Sequence, residues 1–233
     1  MNTFDQTFID TVNHYARHSW ALDRFVGVVA INHLIKGGVF ALLIWWQWFR
    51  LSPRQQEDRA RVLATIMSSV AAMALARVLA MLLPFRNRPM HEPSLHFVLP
   101  YGAAPDMLDG WSSFPSDHAT LFFALATGLM FVSRRVGLAA LAYATVFVAL
   151  PRLYMGLHYP TDLLAGAVLG VVVVTAGNAL LVRTPLPDWL VDWCDRHPGY
   201  FYPGMFLFTY QIADNFEAAR ALLKAAWGAV SGQ

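Results

Sequence analysis

Between two long apolar runs of this chain lies the stretch RLYMGLHYPTD, residues 152–162. The shorter stretch FPSDH, residues 114–118, stands at the start of another apolar run. Each stretch places a histidine among polar or charged neighbours where a loop meets an apolar segment. Apolar segments do not need such residues at their ends to fold, whereas a phosphoryl-transfer site needs cations, a nucleophile and a proton donor. The two stretches therefore predict a helix bundle with phosphate chemistry at its mouth.

The composition of the chain is that of a membrane protein. Of its 233 residues, 57% are hydrophobic and 14% are charged, whereas soluble domains carry about 25% charged residues. The net charge of +2 gives no argument for binding nucleic acid. The single cysteine, Cys194, excludes an intramolecular disulfide. The first residues lack a basic segment followed by an apolar core, so they do not predict a cleavable signal peptide.

Five apolar runs reach or approach the length of about 20 residues that a bilayer-crossing helix needs. They cover residues 25–49, 62–85, 116–133, 136–156 and 160–182. A weaker run at residues 199–212 is interrupted by Pro203 and is open to three interpretations: a sixth span, a re-entrant piece or an interfacial helix. The sequence thus predicts an all-α, polytopic membrane bundle of five to six transmembrane helices.

Three segments follow from these runs. Residues 1–24 are expected to form an N-terminal amphipathic or interfacial segment, residues 25–182 the transmembrane catalytic bundle, and residues 183–233 a C-terminal interfacial or sixth-span segment. Arginines concentrate in the loop 50–61 and the turn 133–135, which the positive-inside rule assigns to the cytoplasm. Both histidine stretches then face the opposite side, the periplasm or exterior of a bacterial inner membrane.

The stretch FPSDH has the features of a helix start. Ser116 follows a proline and precedes an apolar run, which predicts Ser116 as the N-cap. Unpaired amides and the positive dipole end of the first helical turn favour an anion there, and His118 lies in that same turn. An ordinary serine cap beside an interfacial histidine remains the alternative.

The stretch 152–162 combines a histidine with a carboxylate four residues later. Pro160 suits the first turn of a helix, and Asp162 can then reach back to one ring nitrogen of His158, leaving the other free as a nucleophile. Gly156 lets the chain turn, and Arg152 ends the preceding run. A loop histidine, an aspartate cap and a snorkelling arginine are the alternative reading.

Arginines at the end of the run 62–85 add a third group. Arg86 and Arg88 lie just beyond it, and guanidinium groups bind phosphate in a bidentate manner. Arg77 lies deeper in the run and would share a helical face with Arg88 if Pro84 leaves the helix intact. An arginine within a span marks a functional interior, while a structural salt bridge, for example to Asp162, is the alternative.

Taken together, these residues resemble the type-2 phosphatidic acid phosphatases. The family pattern is Lys-x6-Arg-Pro, then Pro-Ser-Gly-His, then Ser-Arg-x5-His-x3-Asp. It is matched in order by Arg88-Pro89, by Pro115-Ser116-x-His118 and by Arg152-x5-His158-x3-Asp162. The resemblance spans about residues 62–182 and implies a helical core like that of acid phosphatases and vanadium haloperoxidases.

Three positions depart from the pattern. Met81 stands where the family has lysine, Asp117 replaces the glycine, and Pro151 replaces the serine before Arg152. Arg77 or Arg86 is the candidate substitute for the missing lysine. The sequence FPSDH is similar to the variant of bacterial undecaprenyl pyrophosphate phosphatases.

The resemblance implies a role for each residue. His158 would attack the terminal phosphorus and form a phosphohistidine, with Asp162 orienting its ring, and His118 would serve as acid and then base. No metal or cofactor is implied. The phosphate-binding candidates are Arg88, Arg152, the amides of Ser116 and Asp117, Arg86 and Arg77.

The function favoured by these features is hydrolysis of a lipid phosphate or pyrophosphate at the outer membrane face, foremost of undecaprenyl pyrophosphate to undecaprenyl phosphate. The alternatives are a phosphatidylglycerophosphate or lipid A phosphatase, a lipid phosphotransferase and, outside the enzymes, a transporter. A transporter should show paired half-helices or an inverted repeat, and the sequence has neither. The expected partners are the lipid phosphate substrate and membrane lipids, without nucleic acid; the oligomeric state stays open.

Overall fold

The computed structural model describes residues 2–231, and every regular element within that range is helical. Two short 3-10 turns, Pro89–His91 and Pro93–Leu95, lie in the long connection at residues 83–116. The remaining elements are, in order, α1 Thr3–Asn13, α2 Trp20–Ile31, a π turn Leu34–Gly38, α3 Val39–Phe49, α4 Gln55–Leu82, α5 Asp117–Met130, α6 Arg134–Tyr143, a π segment Ala144–Ala149, α7 Leu150–Tyr154, α8 Pro160–Leu181, α9 Leu186–Arg196, α10 Pro198–Ala213 and α11 Glu217–Ser231.

Helix α5 lies at the centre of the bundle and packs against α4, α6 and α8. Its fully buried apolar side chains include Leu121, Phe122 and Leu125. Gly166 and Gly170 of α8 lie directly on α5. A Cβ atom at Gly166 would overlap the carbonyl oxygen of Ser116, the N-cap of α5, and a Cβ atom at Gly170 would overlap that of Thr120, so both glycines permit close contact between the two helices.

Three helices are long and apolar enough to cross a membrane within the described range: Gln55–Leu82, Arg134–Tyr154 and Pro160–Leu181. A fourth span arises if Trp20–Ile31 and Leu34–Phe49, which meet at a 60° bend, are counted as one. The expected number of five to six is therefore not confirmed. Helix α5 has 14 residues, about 21 Å at 1.5 Å per residue, and other helices cover it. Helix α10, the uncertain sixth run, has 16 residues and contains Pro203.

The break between α2 and the π turn divides the predicted run 25–49. Asn32 accepts hydrogen bonds from the amides of Leu34 and Ile35 at 3.0 and 3.1 Å, which starts a new helical segment. Lys36 is buried within this turn, and Gly37 lies against the backbone of Ala213 in α10. The C-terminal segment is thereby packed onto the bundle at the bend.

The N-terminal and C-terminal segments both contact the bundle. Asp5 of α1 is fully buried, and its carboxylate accepts a hydrogen bond of 3.0 Å from the Thr161 amide at the start of α8. Helix α9 packs against α4, while α10 packs against α3, where Trp45 Nε1 donates to Thr209 Oγ1 at 3.1 Å. The N-terminal segment therefore reaches the end of the bundle at which α8 begins. The C-terminal segment reaches the bend between α2 and α3.

Candidate active site

The two histidine stretches meet where α5 and α8 begin. The Ser116 amide donates a hydrogen bond of 3.1 Å to the carbonyl oxygen of Asp162, which joins the two helix starts. A cavity of about 260 Å³ opens beside this junction and is called the histidine pocket below. Its lining residues are Arg77, Arg88, Leu108, Trp111, Asp117, His118, His158, Glu217 and Arg220.

The imidazole of His158 is buried and fixed through both ring nitrogens. Nδ1 lies 2.9 Å from the carbonyl oxygen of Ser113, and Nε2 lies 3.3 Å from Nη1 of Arg88. Because a carbonyl oxygen can only accept, Nδ1 is assigned the proton and Nε2 the lone pair. Burial lowers the pKa of His158, and the Arg88 charge lowers it further, against an opposing effect of Asp162. The ring is therefore held neutral, with a nucleophilic nitrogen facing an arginine.

Asp162 supports this arrangement from a longer distance than we expected. Its Oδ2 lies 3.7 Å from Nδ1 of His158, beyond hydrogen-bond length, and accepts instead from the Tyr159 amide at 2.8 Å. Its Oδ1 accepts from Arg86. Helix α8 begins at Pro160 as predicted. Asp162 thus caps that helix and places a negative charge near His158, while the Ser113 carbonyl takes the ring proton.

Arg88 and Arg152 are both buried but occupy different places. Arg88 Nη1 donates to the carbonyl oxygen of Leu157 at 2.6 Å, and its side chain lines the histidine pocket. Arg152 donates to the carbonyl oxygen of Ala30 at 3.3 Å and does not line the pocket. Its charge nevertheless contributes to lowering the pKa of His158, after burial and Arg88.

Ser116 is the N-cap of α5, as predicted, and accepts a hydrogen bond of 3.4 Å from the Ala119 amide. Its own amide is engaged by Asp162, so the Asp117 amide remains the candidate for an anion. His118 Nδ1 lies 2.9 Å from Asp117 Oδ1. His118 Nε2 is buried, lines the pocket and has no hydrogen-bond partner among residues 2–231.

The Asp117 carboxylate does not point freely into the pocket. It forms an ion pair with Arg77 of α4 and accepts a hydrogen bond of 3.2 Å from Nδ2 of Asn215. The structural salt bridge that we considered for Arg77 therefore exists, with Asp117 and not with Asp162 as the partner. The negative charge that replaces the family glycine is neutralised locally and oriented onto His118.

Arg77 and Arg88 do not share one helical face, because the condition for it, a helix that continues through Pro84, is not met. Helix α4 ends at Leu82, and Leu83 is extended with φ −82° and ψ 158°, because a residue before proline avoids the helical region. Arg88 follows in extended backbone, yet both arginines line the pocket. Arg77 therefore lines the pocket from helix α4, whereas Arg88 lines it from the extended segment that follows the helix.

Arg86 lies outside the histidine pocket. Its guanidinium bridges Asp5 and Asp162 and stacks 4.0 Å from the centre of the Tyr159 ring. Met81, at the family's lysine position, is 76% exposed and lines a second cavity of about 320 Å³. This side cavity shares Arg77 and Trp111 with the histidine pocket and is otherwise lined by Ala80, Met81, Leu83, Phe85, Gly110 and Ser112.

Sequence reasoning missed the apolar lining residues Leu108 and Trp111 and four polar contributors: the Ser113 carbonyl, Asn215, Glu217 and Arg220. A backbone carbonyl has no residue-type signature. The other three follow α10, in a segment interpreted as interfacial or as a sixth span, and the turn that returns them to the site has no motif. Their sole sequence signal is a polar cluster, DNFEAAR at residues 214–220, between apolar runs.

One group of side chains could hold a metal ion. His33, Asp214 and Glu217 place ligand atoms within 4.8 Å of one another, and His33 Nδ1 lies 3.4 Å from Asp214 Oδ1. In the connection between α4 and α5, His91, Glu92 and His96 form no such group within the described range. The histidine pocket itself presents nitrogen donors and guanidinium groups, which suit an anion.

Comparison with known proteins agrees with this geometry. The PAP2 superfamily profile matches residues 85–184. Undecaprenyl-diphosphatase BcrC of Bacillus subtilis is 23% identical over 70% of this chain and 76% of its own length. Bacitracin transport permease protein BcrC of Bacillus licheniformis is 28% identical over 56% of the chain and 58% of its own length. The lipid A 4'-phosphatase of Bacteroides thetaiotaomicron is 44% identical over 26% and 28%.

No solved structure gives a significant match. The matched relatives are covered to between 28% and 76% of their own length, so they identify a shared core more than a shared whole protein. That core contains both histidines of the pocket, Arg88, Arg152 and Asp162. Over this core, residues 85–184, the chain is similar to the PAP2 superfamily.

Proposed function

We propose that this protein is a membrane lipid phosphatase that works through a phosphohistidine, with undecaprenyl pyrophosphate as its foremost substrate. The observation that carries the proposal is the matched orientation of two histidines. His158 and His118 each have Nδ1 beside an oxygen, at 2.9 Å in both cases, and both rings line the same arginine-containing pocket. One nucleophile and one proton carrier on a single anion site are the minimum set for phosphoryl transfer without a cofactor.

In the first step, Nε2 of His158 attacks the terminal phosphorus of the substrate. The N–P bond forms as the bond from phosphorus to the leaving oxygen breaks, and His118 Nε2 gives its proton to that oxygen. Arg88 lies 3.3 Å from the attacking nitrogen, where it can stabilise the charge on the transferred phosphoryl group. The Ser113 carbonyl and Asp162 stabilise the positive charge that develops on the His158 ring.

In the second step, His118 is neutral and accepts a proton from a water molecule that attacks the phosphohistidine. The N–P bond breaks, inorganic phosphate leaves, and both rings return to their starting states. Asp117 helps in each step because its carboxylate, 2.9 Å from His118 Nδ1, stabilises the protonated ring. The cycle needs no group beyond these side chains and water.

A lipid substrate fits the surroundings of the pocket. The side cavity adjoins the pocket at Arg77 and Trp111, and its apolar residues include Met81, Leu83 and Phe85, all exposed by 40% or more. An isoprenoid or acyl chain can lie there while its phosphate enters the pocket. The named activities of two relatives, an undecaprenyl-diphosphatase and a lipid A 4'-phosphatase, concern lipid phosphates of this kind.

Location follows from the arginine-rich loops. They lie at the end of the bundle where α4 and α6 begin, opposite the ends that carry the histidines. With the positive-inside rule, the pocket opens to the periplasm or exterior of a bacterial inner membrane. Labelling of single-cysteine variants at loop positions 54 and 109 by an impermeant reagent tests this: only position 109 should react in intact cells with a permeabilised outer membrane.

The function is tested with purified protein in detergent and undecaprenyl pyrophosphate. Wild-type protein should release inorganic phosphate, and His158→Ala should lower the rate by at least about a thousandfold, as removal of a covalent nucleophile does. With substrate labelled by ³²P at the terminal phosphate, acid-labile label should remain bound to the His118→Ala protein but not to the His158→Ala protein. That result would support a phosphohistidine at His158. Phosphate release that persists without His158 contradicts the mechanism. Uptake into vesicles without hydrolysis would favour the transporter, and transfer of phosphate to an added lipid would favour a phosphotransferase.

A further inference from the structure

The turn between α10 and α11 brings the C-terminal segment onto the histidine pocket. Asn215 and Phe216 adopt left-handed backbone with φ of 51° and 58°, which reverses the chain between the two helices. Asn215 is 1% exposed and donates to Asp117. Asp214 Oδ2 accepts a 2.6 Å hydrogen bond from the Ala218 amide and so organises the first turn of α11. The start of α11 is therefore tied to the same carboxylate that orients His118.

This anchoring places Arg220 and Glu217 in the lining of the pocket. Glu217 lies 3.7 Å from Nε2 of His33, so its charge is drawn towards the bend between α2 and α3. Among the side chains that the structure describes, no carboxylate oxygen lies within 4.0 Å of a guanidinium nitrogen of Arg220. Because no carboxylate neutralises it, the charge of Arg220 is available to an anionic substrate in the pocket.

The other arginines near the pocket are already engaged. Arg77 is paired with Asp117, and Arg86 with Asp5 and Asp162. Arg88 is fixed beside His158 by a hydrogen bond to the Leu157 carbonyl. In this position it can bind the phosphoryl group that His158 attacks. Among the described residues that line the pocket, Arg88 and Arg220 are therefore the guanidinium groups without a carboxylate partner. Arg88 lies beside the nucleophile His158, and Arg220 lies on α11.

We propose that Arg220 binds the second phosphate of a lipid diphosphate, the one that stays on the leaving lipid, and so gives the pocket its preference for diphosphates over monophosphates. The inference rests on the proposed function of the same pocket. A guanidinium matches two phosphate oxygens at once and keeps its charge. A lipid monophosphate has no second phosphate to place there. Arg220 would then supply the charge that the family lysine, here Met81, does not.

The test compares two substrates with one tail, farnesyl diphosphate and farnesyl phosphate, on the full-length protein in detergent. For Arg220→Ala, kcat/KM on the diphosphate should fall by about 10- to 100-fold, the loss of one charged hydrogen-bonding group. The value on the monophosphate should stay within about twofold, since that substrate makes no contact there. Arg220→Lys should recover part of the loss. The matched control is Arg183→Ala, an exposed arginine in the turn after α8, which should change neither value.

A second measurement does not depend on turnover. In the His158→Ala background, inorganic pyrophosphate and inorganic phosphate are titrated calorimetrically, with and without Arg220→Ala. Pyrophosphate should bind more tightly than phosphate, and Arg220→Ala should remove that preference. Equal losses on both substrates, or an unchanged preference for pyrophosphate, overturn the role of Arg220 while hydrolysis by the wild type still stands. If the wild type hydrolyses neither substrate nor undecaprenyl pyrophosphate, the proposed function itself fails.

Discussion

Replacement of Asp117 by asparagine tests whether the unusual acidic residue serves His118. Asparagine keeps the size of the side chain and an oxygen that can accept from His118 Nδ1, now 2.9 Å from the carboxylate, but removes the charge. Hydrogen bonds to charged groups contribute about 1.5–3 kcal/mol, so kcat should fall by about 10- to 100-fold. The KM of Asp117→Asn should not rise, because the substitution releases Arg77 from its ion pair and leaves it free to bind the phosphate.

The assay is phosphate release from undecaprenyl pyrophosphate as a function of pH. Without the carboxylate, the protonated form of His118 loses its proton more readily, so the alkaline limb of the kcat profile should move to lower pH. A merely structural defect would lower kcat without moving that limb. The control is Asp188→Asn, at an exposed carboxylate in the first turn of α9. Wild-type kcat and an unmoved limb in Asp117→Asn would refute the assignment of Asp117 to His118.

Three further outcomes are expected. Because burial lowers the pKa of His158, its nucleophilic form persists below the usual titration point, and kcat/KM should hold on acidification through about pH 6.5; a decline that begins above that pH speaks against it. Arg86→Ala leaves two fully buried carboxylates unpaired, and the loss of about 3–5 kcal/mol should appear as a lowered midpoint in thermal melts. Gly166→Ala places a methyl group against the Ser116 carbonyl, which should cost about 1–3 kcal/mol by overpacking and lower kcat; an unchanged melt and rate would contradict that contact.

Local chemistry was readable from the sequence where one residue type determines a conformation. Ser116 caps α5 and Pro160 opens α8, as expected, because a hydroxyl cap and a proline in the first turn act within a few residues. Such rules bring the two histidines to helix starts and, through the family resemblance, to one another.

Features that depend on tertiary contacts were not readable. The proton acceptor of His158 is a backbone carbonyl at Ser113, forty-five residues away, and no side chain marks it. As an arginine, Arg86 could bind phosphate, yet its partners in the structure are two buried carboxylates from different helices. The predicted number of spans is not confirmed, because hydropathy does not separate a short core helix such as α5, which is covered by its neighbours, from a helix that crosses the bilayer.

The position of α11 has a consequence for how phosphate preference can diversify. Both histidines lie within residues 85–184, which match the superfamily, whereas Glu217 and Arg220 reach the same pocket from outside that region. On the mechanism proposed above, the reaction and the recognition of its substrate are encoded in separable parts of the chain. Two proteins with identical motifs can prefer different phosphates if their C-terminal helices differ, and exchange of the segment after α10 between relatives would be a direct way to transfer specificity without touching the chemistry.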